Sequence, residues 1–299
     1  MTQSTESGPG RSKENYSSEK EMQSVKAKVD LVMVPVIVMD QYDRPVLGLD
    51  KNNFSVYDGH DREAISHVSM EDGPISIGIL FDTSDSMYGK LESAREAVLQ
   101  FLRSASSEDE FFLVLFNTRP EIATDFTRSV DDIEEEISTV KPEGTTALLD
   151  AVYLAVSAMK HAQNQRKVLL ILSDGGDNHS RYTSRHVSSL LAESNVQMYA
   201  LGIFDEVPRT PAERVGPDLL AAMTNITGGR TLPIRNLNRI GPAVSQLSVE
   251  LHNQYLIAYR PTNLAHDGKW HKIRVKVTPP RNGCRLHVYA KEGYYAPGG

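Results

Sequence analysis

The chain has 299 residues, of which 40% are apolar and 24% are charged, and its formal net charge is −7. This composition is that of a globular protein with one large or two modest domains, and a negative chain without clustered Lys and Arg argues against general binding to nucleic acid or to anionic membranes. The single cysteine, Cys284, excludes an internal disulfide framework and a multi-cysteine metal site, and its alternation with Leu286 and Val288 predicts a buried strand thiol.

The amino-terminal residues 1–24 are polar and rich in serine, and they lack the apolar core of a signal peptide. We expect them to form a disordered tail. Two alternatives for the compartment follow, a cytosolic protein or one from which a signal has been removed. The longest apolar stretch, Leu31 to Met39, contains a proline and is about half the length of a membrane-spanning helix, so no transmembrane segment is predicted.

Both ends of the chain have the patterns of β-strands. Alternation from Val25 leads into the apolar stretch just described, and NFSVY and REAISHVSM flank an Asp-Gly pair that predicts a hairpin. After Leu251, QYLIAYRP, HKIRVKV and CRLHVYA predict three more strands. Because neither set can cover its own apolar face, we expect residues 25–70 and 253–297 to pack as one β-sandwich-like domain, with residues 71–252 inserted between them.

The central segment alternates predicted strands and helices. ISIGILF, FFLVLF, KVLLILS and VQMYALGIF are continuous apolar runs, as expected of strands buried on both faces of a parallel sheet. Apolar residues three and four apart predict helices in KLESAREAVLQFLRSA, VDDIEEEISTV, TALLDAVYLAVSAMKHA, SRHVSSLLAES and DLLAAMTNIT. EIATDFT predicts an antiparallel edge strand. The predicted fold class is therefore α/β, a doubly wound, mostly parallel, Rossmann-like sheet with helices on both faces.

Short polar side chains cluster in three segments at predicted strand or helix ends, which is where ligands gather in an open α/β sheet. The segments are FDTSDSM with Asp82, Ser84 and Ser86, EGTTALL with Thr145 and Thr146, and LSDGGDN with Asp174. Such residues are ordinary turn formers and helix N-caps, so a purely structural role stays open. Their hard oxygen atoms also suit Mg²⁺ or Mn²⁺ better than Zn²⁺, which makes a metal site the alternative.

In this combination the chain resembles a von Willebrand factor A domain with a metal-ion-dependent adhesion site, over residues 74–250. The resemblance implies that Mg²⁺, or Mn²⁺ or Ca²⁺, is bound directly by three hydroxyls and through water by two carboxylates. The implied site residues are Asp82, Ser84, Ser86, Thr146 and Asp174. Family members commonly have Gly-Gly-Thr-Ala-Leu in the middle segment, so Thr145 stands in place of a glycine and remains a second candidate for the threonine ligand.

The function that this resemblance implies is protein binding in adhesion or assembly, in which an Asp or Glu of a partner protein completes the coordination shell of the ion. The flanks VDLVMVPVIVMDQYDRPVLGLDKNNFSVYDG, YLIAYRPTNLAHDGKWHKIRVKV and EGYYAPG resemble a narrower bacterial group, the von Willebrand factor A-related proteins common in Acidobacteria. Proteins of that group are usually exported, which implies an extracytoplasmic or secreted location.

The alternative function is that of a Mg-dependent hydrolase or phosphotransfer enzyme, with Asp82 as a phosphoryl acceptor or Ser84 as an acyl nucleophile. Position 84 lacks the second acid that phosphoryl transfer usually needs, and no Gly-x-Ser-x-Gly elbow surrounds Ser84. A scaffold with a vestigial metal site is a third possibility. Four more polar residues fall near predicted sheet ends: Asp85, Asn117, Asp177 and Asp205. They could line the rim of the site, but an ordinary role in turns is favoured for each.

Overall fold

A computed structural model describes residues 31–262, 267–279 and 285–296 of the chain. The expected tail at 1–24, the start of the first predicted strand at 25–30 and the predicted strand thiol of Cys284 lie outside the described residues. In the described ranges, no helix combines the length and the apolar character needed to cross a membrane.

The strands and helices follow one another in a β, then α/β, then β order. Along the described chain they are β1 (Val32–Asp40), β2 (Phe54–Asp58), β3 (Asp61–Glu63), β4 (Ile65–Glu71), β5 (Ile75–Asp82), α1 (Leu91–Arg103), β6 (Glu110–Phe116), β7 (Pro120–Thr127), α2 (Val130–Thr139), α3 (Leu148–Ala158), β8 (Arg166–Ser173), α4 (Ser184–Glu193), β9 (Val196–Ile203), α5 (Pro211–Thr227), β10 (Thr231–Ile234), α6 (Ile240–Leu251), β11 (Gln254–Tyr259), β12 (Trp270–Val277), β13 (Leu286–Ala290) and β14 (Gly293–Tyr295).

The central sheet has six strands in the order β10-β9-β8-β5-β6-β7. All neighbouring strands are parallel except β7, which pairs antiparallel with β6 at the edge. Every residue of β5 and of β9 is buried, because apolar side chains from helices cover both faces of the sheet. The predicted doubly wound α/β fold and the predicted antiparallel edge strand are confirmed.

Three elements that contain proline or glycine differ from the sequence prediction, namely α5, β10 and α6. Helix α5 begins at Pro211, seven residues before the predicted start, because Thr210 caps it and Pro217 is accommodated inside it. Strand β10, which contains Pro233, and helix α6, which begins Ile-Gly-Pro, were not predicted at all. In each case a residue that usually interrupts regular structure lies within or at the start of the element.

Strands from both ends of the chain pair with each other in two four-stranded sheets, β13-β1-β11-β4 and β14-β12-β2-β3. Strand β1 runs antiparallel to both β11 and β13, and β2 runs antiparallel to β12. Apolar residues of the two sheets, among them Val34, Val36, Phe54 and Ile257, form one buried cluster. The division into an inserted domain at 71–252 and a domain made of 25–70 and 253–297 stays a prediction.

The predicted hairpin differs from the observed one in its second strand. REAISHVSM divides at Ala64 into β3, which pairs with β2, and β4, which pairs with β11 in the other sheet. Glu63, at the end of β3, is buried and accepts hydrogen bonds from the backbone N–H and the hydroxyl of Thr262. These contacts hold the chain where it passes from one sheet to the other.

One buried ion pair connects the α/β part to the strands at the chain ends. Arg230 donates to both carboxylate oxygens of Glu250 in α6, and Glu250 is fully buried. The guanidinium of Arg230 also lies 5.0 Å from the ring centroid of Tyr289 in β13 and 3.6 Å from a carboxylate oxygen of Asp43. Arg230 therefore contacts α6 in the central part, β13, and the turn after β1.

We expect Arg230→Met to lower the free energy of unfolding by about 3–5 kcal/mol, because it leaves the Glu250 carboxylate buried without its cation. The double variant Arg230→Met/Glu250→Leu should recover most of that loss, since it removes both charges. Urea unfolding of the three proteins measures the difference. A single variant as stable as the unsubstituted chain would contradict this role for the pair.

Candidate metal centre

Three loops meet at the carboxyl end of the central sheet, where the strand order reverses on either side of β5. Backbone hydrogen bonds join them. The N–H of Glu143 donates to the carbonyl of Thr83 (2.8 Å), and the N–H of Asn178 donates to the carbonyl of Thr146 (3.0 Å). The structure thus brings the loops of FDTSDSM, EGTTALL and LSDGGDN into direct contact.

Asp82 is fully buried at the end of β5, among hydroxyl groups. One carboxylate oxygen accepts hydrogen bonds from the N–H of Ser84 (2.9 Å) and from its hydroxyl (2.6 Å), and the other accepts one from the hydroxyl of Ser173. The Oγ atoms of Ser84 and Ser86 lie 3.1 Å apart. Three of the predicted site residues therefore form one continuous group of oxygen atoms.

Burial, and to a smaller extent the negative charge of Asp174, raises the pKa of Asp82 from 3.8 to about 7. Hydrogen bonds from Ser173 and Ser84 act in the opposite direction and offset only part of this effect. The carboxylate form of Asp82 is thus costly in this position unless a cation stabilises it.

The two threonine candidates lie in different surroundings. Thr146 is buried, and its N–H donates to the side-chain oxygen of Asn178 (2.8 Å). Thr145 is exposed, and its hydroxyl donates to the hydroxyl of Thr118 (3.1 Å). Thr146 is therefore held between the loops that meet at Asp82, whereas Thr145 bonds to the turn between β6 and β7.

Asp174 is buried directly after β8 and faces a lysine that the sequence analysis did not identify. The Nζ atom of Lys90 lies 3.4 Å from a carboxylate oxygen of Asp174 and 3.2 Å from one of Asp205, and only 7% of the lysine side chain is exposed. The nearby Arg209 also approaches Asp205 (3.6 Å). The one sequence feature that could have pointed to Lys90 is its place directly before α1, in the loop that begins with Asp82.

The loop after β8 is held by a direct backbone contact with α5. Gly175 has a φ of 76°, and a Cβ built on it would lie 2.5 Å from the carbonyl oxygen of Gly216. A Cβ on Gly216 would in turn lie 2.4 Å from the carbonyl oxygen of Asp174. Only glycine at both positions permits this approach, which fixes the loop that carries Asp174.

The four residues considered for the rim have mixed roles. Asp177 accepts a hydrogen bond from the N–H of Leu149 (3.3 Å) in the first turn of α3, which is a helix-capping contact. Backbone atoms of Asp85 and Asn117 join the loops. Asp205 differs from the prediction, because it pairs with buried Lys90.

The grouped oxygen atoms fit a hard divalent cation. Carboxylates and hydroxyls are the donors that Mg²⁺ and Mn²⁺ prefer, and the buried carboxylate of Asp82 supplies a charge that such an ion would stabilise. Within the part of the chain that the structure describes, His, Cys, Asp and Glu form no group of three or more arranged to hold a metal ion. A nitrogen- or sulfur-rich site is therefore not found there.

Comparison with known proteins shows what this region is similar to. A sequence model described as the von Willebrand factor type A domain matches residues 77–176. The inter-alpha-trypsin inhibitor heavy chain H4 of Bos taurus is 26% identical over 153 residues, 46% of this chain and 16% of that protein. The human H4 is 21% identical over 179 residues, 56% of this chain and 19% of that protein. The chain thus aligns with less than a fifth of these curated relatives.

Solved structures agree on the fold. The von Willebrand factor type A protein from Catenulispora acidiphila aligns with a TM-score of 0.53 and 12% identity, over 82% of this chain and 74% of that chain. Proximal thread matrix protein 1 of the mussel byssus, with a zinc-occupied MIDAS motif, aligns with a TM-score of 0.50 and 20% identity, over 65% and 49% of the two chains. The resemblance to a von Willebrand factor A domain is confirmed, and membership of the narrower bacterial group stays a prediction.

The pKa of Asp82 predicts that divalent-cation binding weakens as the solution becomes more acidic. Below a pH of about 7 a proton competes with the cation for this carboxylate, so the affinity for Mn²⁺ should fall towards tenfold per pH unit. Isothermal titration calorimetry between about pH 6 and pH 8 measures this change.

Without the ion, the contribution of Asp82 to protein stability should decrease as the pH rises, whereas cation affinity should increase. A carboxyl group whose pKa rises on folding stabilises the folded state fully below its unfolded pKa of 3.8, and this contribution is lost as the pH rises through about 7. Added Mn²⁺ should therefore raise the melting temperature more at pH 8 than at pH 6. Equal affinities at the two pH values would contradict the assignment of Asp82 to the ion.

Proposed function

We propose that this chain, whose central region is a von Willebrand factor type A domain, is a metal-dependent protein-binding module of the adhesion or assembly type. The observation that carries the proposal is the buried carboxylate of Asp82, which is hydrogen-bonded to Ser84 where the strand order reverses. The proposed site residues are Asp82, Ser84, Ser86, Thr146 and Asp174.

The proposed roles follow the chemistry of each side chain. The hydroxyls of Ser84, Ser86 and Thr146 would contact the ion, while Asp82 and Asp174 would act largely through water. Ser173 and Lys90 position the two carboxylates, through a hydrogen bond to Asp82 and an ion pair with Asp174. We propose Mg²⁺ as the ion, with Mn²⁺ or Ca²⁺ as substitutes, and the zinc-occupied motif of the mussel protein supports a divalent cation in this fold.

The local charge favours an anionic ligand. In their ionised forms Asp82 and Asp174 carry two negative charges, and Lys90, which also pairs with Asp205, offsets part of this charge. A bound divalent cation would supply a net positive centre with a coordination position open to a carboxylate. An Asp or Glu side chain of a partner protein fits that position. The overall charge of −7 opposes an acidic partner only weakly, because salt screens charges more than about 10 Å apart.

An enzymatic role has less support from the contacts of the candidate nucleophile. The hydroxyl of Ser84 donates to Asp82, but Asp82 is buried and also holds Ser173, so it does not have the free position of a general base. Lys90 lies beside Asp174, yet the second acid of a phosphotransfer site is absent at position 84. We therefore propose a module without turnover of its own.

An extracytoplasmic or secreted location remains a proposal drawn from the flanking sequences.

The adjacent threonines offer a matched pair for testing the site. We expect Thr146→Ala to weaken Mn²⁺ binding at least about tenfold, since it removes a direct ligand, and Thr145→Ala to change it less than about twofold. Isothermal titration calorimetry on both variants measures the difference, with circular dichroism as the check on folding. The reverse order would transfer the ligand role to Thr145 and shift the proposed alignment by one residue.

A partner captured with Mg²⁺ present should be released by EDTA. Capture on the immobilised chain, with and without EDTA, identifies such a partner, and Asp82→Asn should abolish capture because it removes a charge needed at the ion. Asp61→Asn, an exposed acid in β3, is the control and should leave capture unchanged. Replacing one acidic residue on the partner's contact surface should also release it. Binding that survives both EDTA and Asp82→Asn would refute the proposal.

A further inference from the structure

A cavity of about 530 Å³ lies near the amino ends of β8 and β9, at the end of the central sheet opposite to the candidate metal centre. Its walls include Met33 of β1, Leu256 of β11, Asn164 and Arg166 at the start of β8, Gln197 of β9 and Lys291. Small-molecule sites commonly measure about 300–1,000 Å³ and occur where two parts of a protein meet. This cavity fits both descriptions.

The apolar wall comes from strand alternation in β1. Val34 and Val36 belong to the buried cluster between the two four-stranded sheets, so Met33 and Pro35 point to the other face, towards the cavity. Met33 is 48% exposed, although the next residue of the strand, Val34, is fully buried. The cavity therefore offers an apolar surface that the protein itself leaves partly uncovered.

The polar wall contains an ammonium group without a carboxylate partner. The Nζ atom of Lys291 donates to the carbonyl oxygen of Ser194 (2.9 Å), and no carboxylate among the described residues pairs with it. Burial lowers the pKa of Lys291 for this reason. Lys291 is only partly buried, and an ammonium group with a single neutral acceptor in such a place is incompletely satisfied.

Two side-chain amides add donors to the same wall. The Nδ2 atom of Asn164 and the Nε2 atom of Gln197 are buried and have no acceptor among the described residues. Gln197 is itself only 8% exposed. Most buried donors in folded proteins are paired, so two unpaired amide donors in residues that line one cavity are unusual, and an acceptor in the cavity would reach them once the side chains turn towards it.

The remaining charged groups leave the cavity positive. Glu71 is the only acid among the described residues of its lining, and it pairs with Arg166 (3.3 Å). Arg166 also donates to the carbonyl of Gly73 (2.9 Å), and Lys167 donates to that of Met159 (2.9 Å). Three cationic side chains thus face one carboxylate, and Lys167 and Lys291 each have a single carbonyl acceptor and no acid among the described residues.

We propose that this cavity binds a small organic anion, whose carboxylate is held by Lys291 and the side-chain amides of Asn164 and Gln197 and whose aliphatic part lies against Met33 and Leu256. The site lies at the amino ends of the strands, whereas the candidate metal centre lies at their carboxyl ends. The two sites therefore have no residue in common, and neither proposal depends on the other.

Hexanoate and hexanamide are a matched pair of probes, because they share an aliphatic chain and differ in charge. In ligand-observed NMR titrations of the full chain, hexanoate should bind at least about tenfold more tightly than hexanamide. Lys291→Met should weaken hexanoate binding at least about tenfold, whereas Lys269→Met, whose side chain is 78% exposed, should not change it. Gln197→Leu removes one donor at nearly constant volume and should weaken binding several-fold.

Thermal unfolding separates a ligand-binding role of Lys291 from a structural one. Lys291→Met should leave the melting temperature unchanged or raise it, because a partly buried ammonium group without an acid carries a desolvation cost. Unchanged hexanoate affinity in Lys291→Met would overturn the proposal. Absence of hexanoate binding to the unsubstituted chain would do so as well, and so would a crystal structure in which residues 1–30 of the chain fill the cavity.

Discussion

The buried carboxylate of Asp82 is the constraint around which the candidate site is organised. A negative charge with no exposure to water requires donors, and the chain supplies them from two directions, Ser84 in its own loop and Ser173 at the end of the neighbouring strand β8. These bonds do not fully offset the cost of burial, since the pKa of Asp82 still rises to about 7. A fold that served stability alone would favour an apolar or neutral residue here, which is why Asp82 carries the proposal of a metal site.

The position of Asp174 depends on a second set of contacts that has little to do with metal chemistry. The carbonyl of Asp174 leaves no room for a side chain on Gly216, and the carbonyl of Gly216 leaves none for a side chain on Gly175. On its other side, Lys90 neutralises part of its charge and connects it to Asp205. Helix α5, the lysine at the start of α1 and the loop after β9 therefore act together on one carboxylate. A displacement of α5 would be transmitted to Asp174 through backbone atoms, which are much stiffer than a side-chain contact.

The sequence predicted the elements whose signal is local. Continuous apolar runs such as Ile75 to Phe81 identified the buried strands, and the order of FDTSDSM, EGTTALL and LSDGGDN identified the loops that the fold brings together. It did not predict β10 or α6, because Pro233 and the Gly-Pro pair after Ile240 resemble interruptions and only tertiary packing overrides them. Lys90 was also missed, since a lysine is ordinarily exposed and its burial follows from the approach of Asp174 and Asp205 from other strands.

The cavity at the amino ends of the strands has its origin in the way β1 divides its contacts. Ile37 and Met39, in its second half, belong to the core cluster of the central sheet and α1, so this half of the strand lies tightly against the α/β part. Met33, in the first half, is not in that cluster and is nearly half exposed. Because β1 is one extended segment, it cannot follow the central sheet along its whole length, and a space opens beneath its first half. Evolution could fill such a space with a larger apolar residue, yet here it is lined by Lys291 and two unpaired amides, which are the groups expected of a site that a ligand completes.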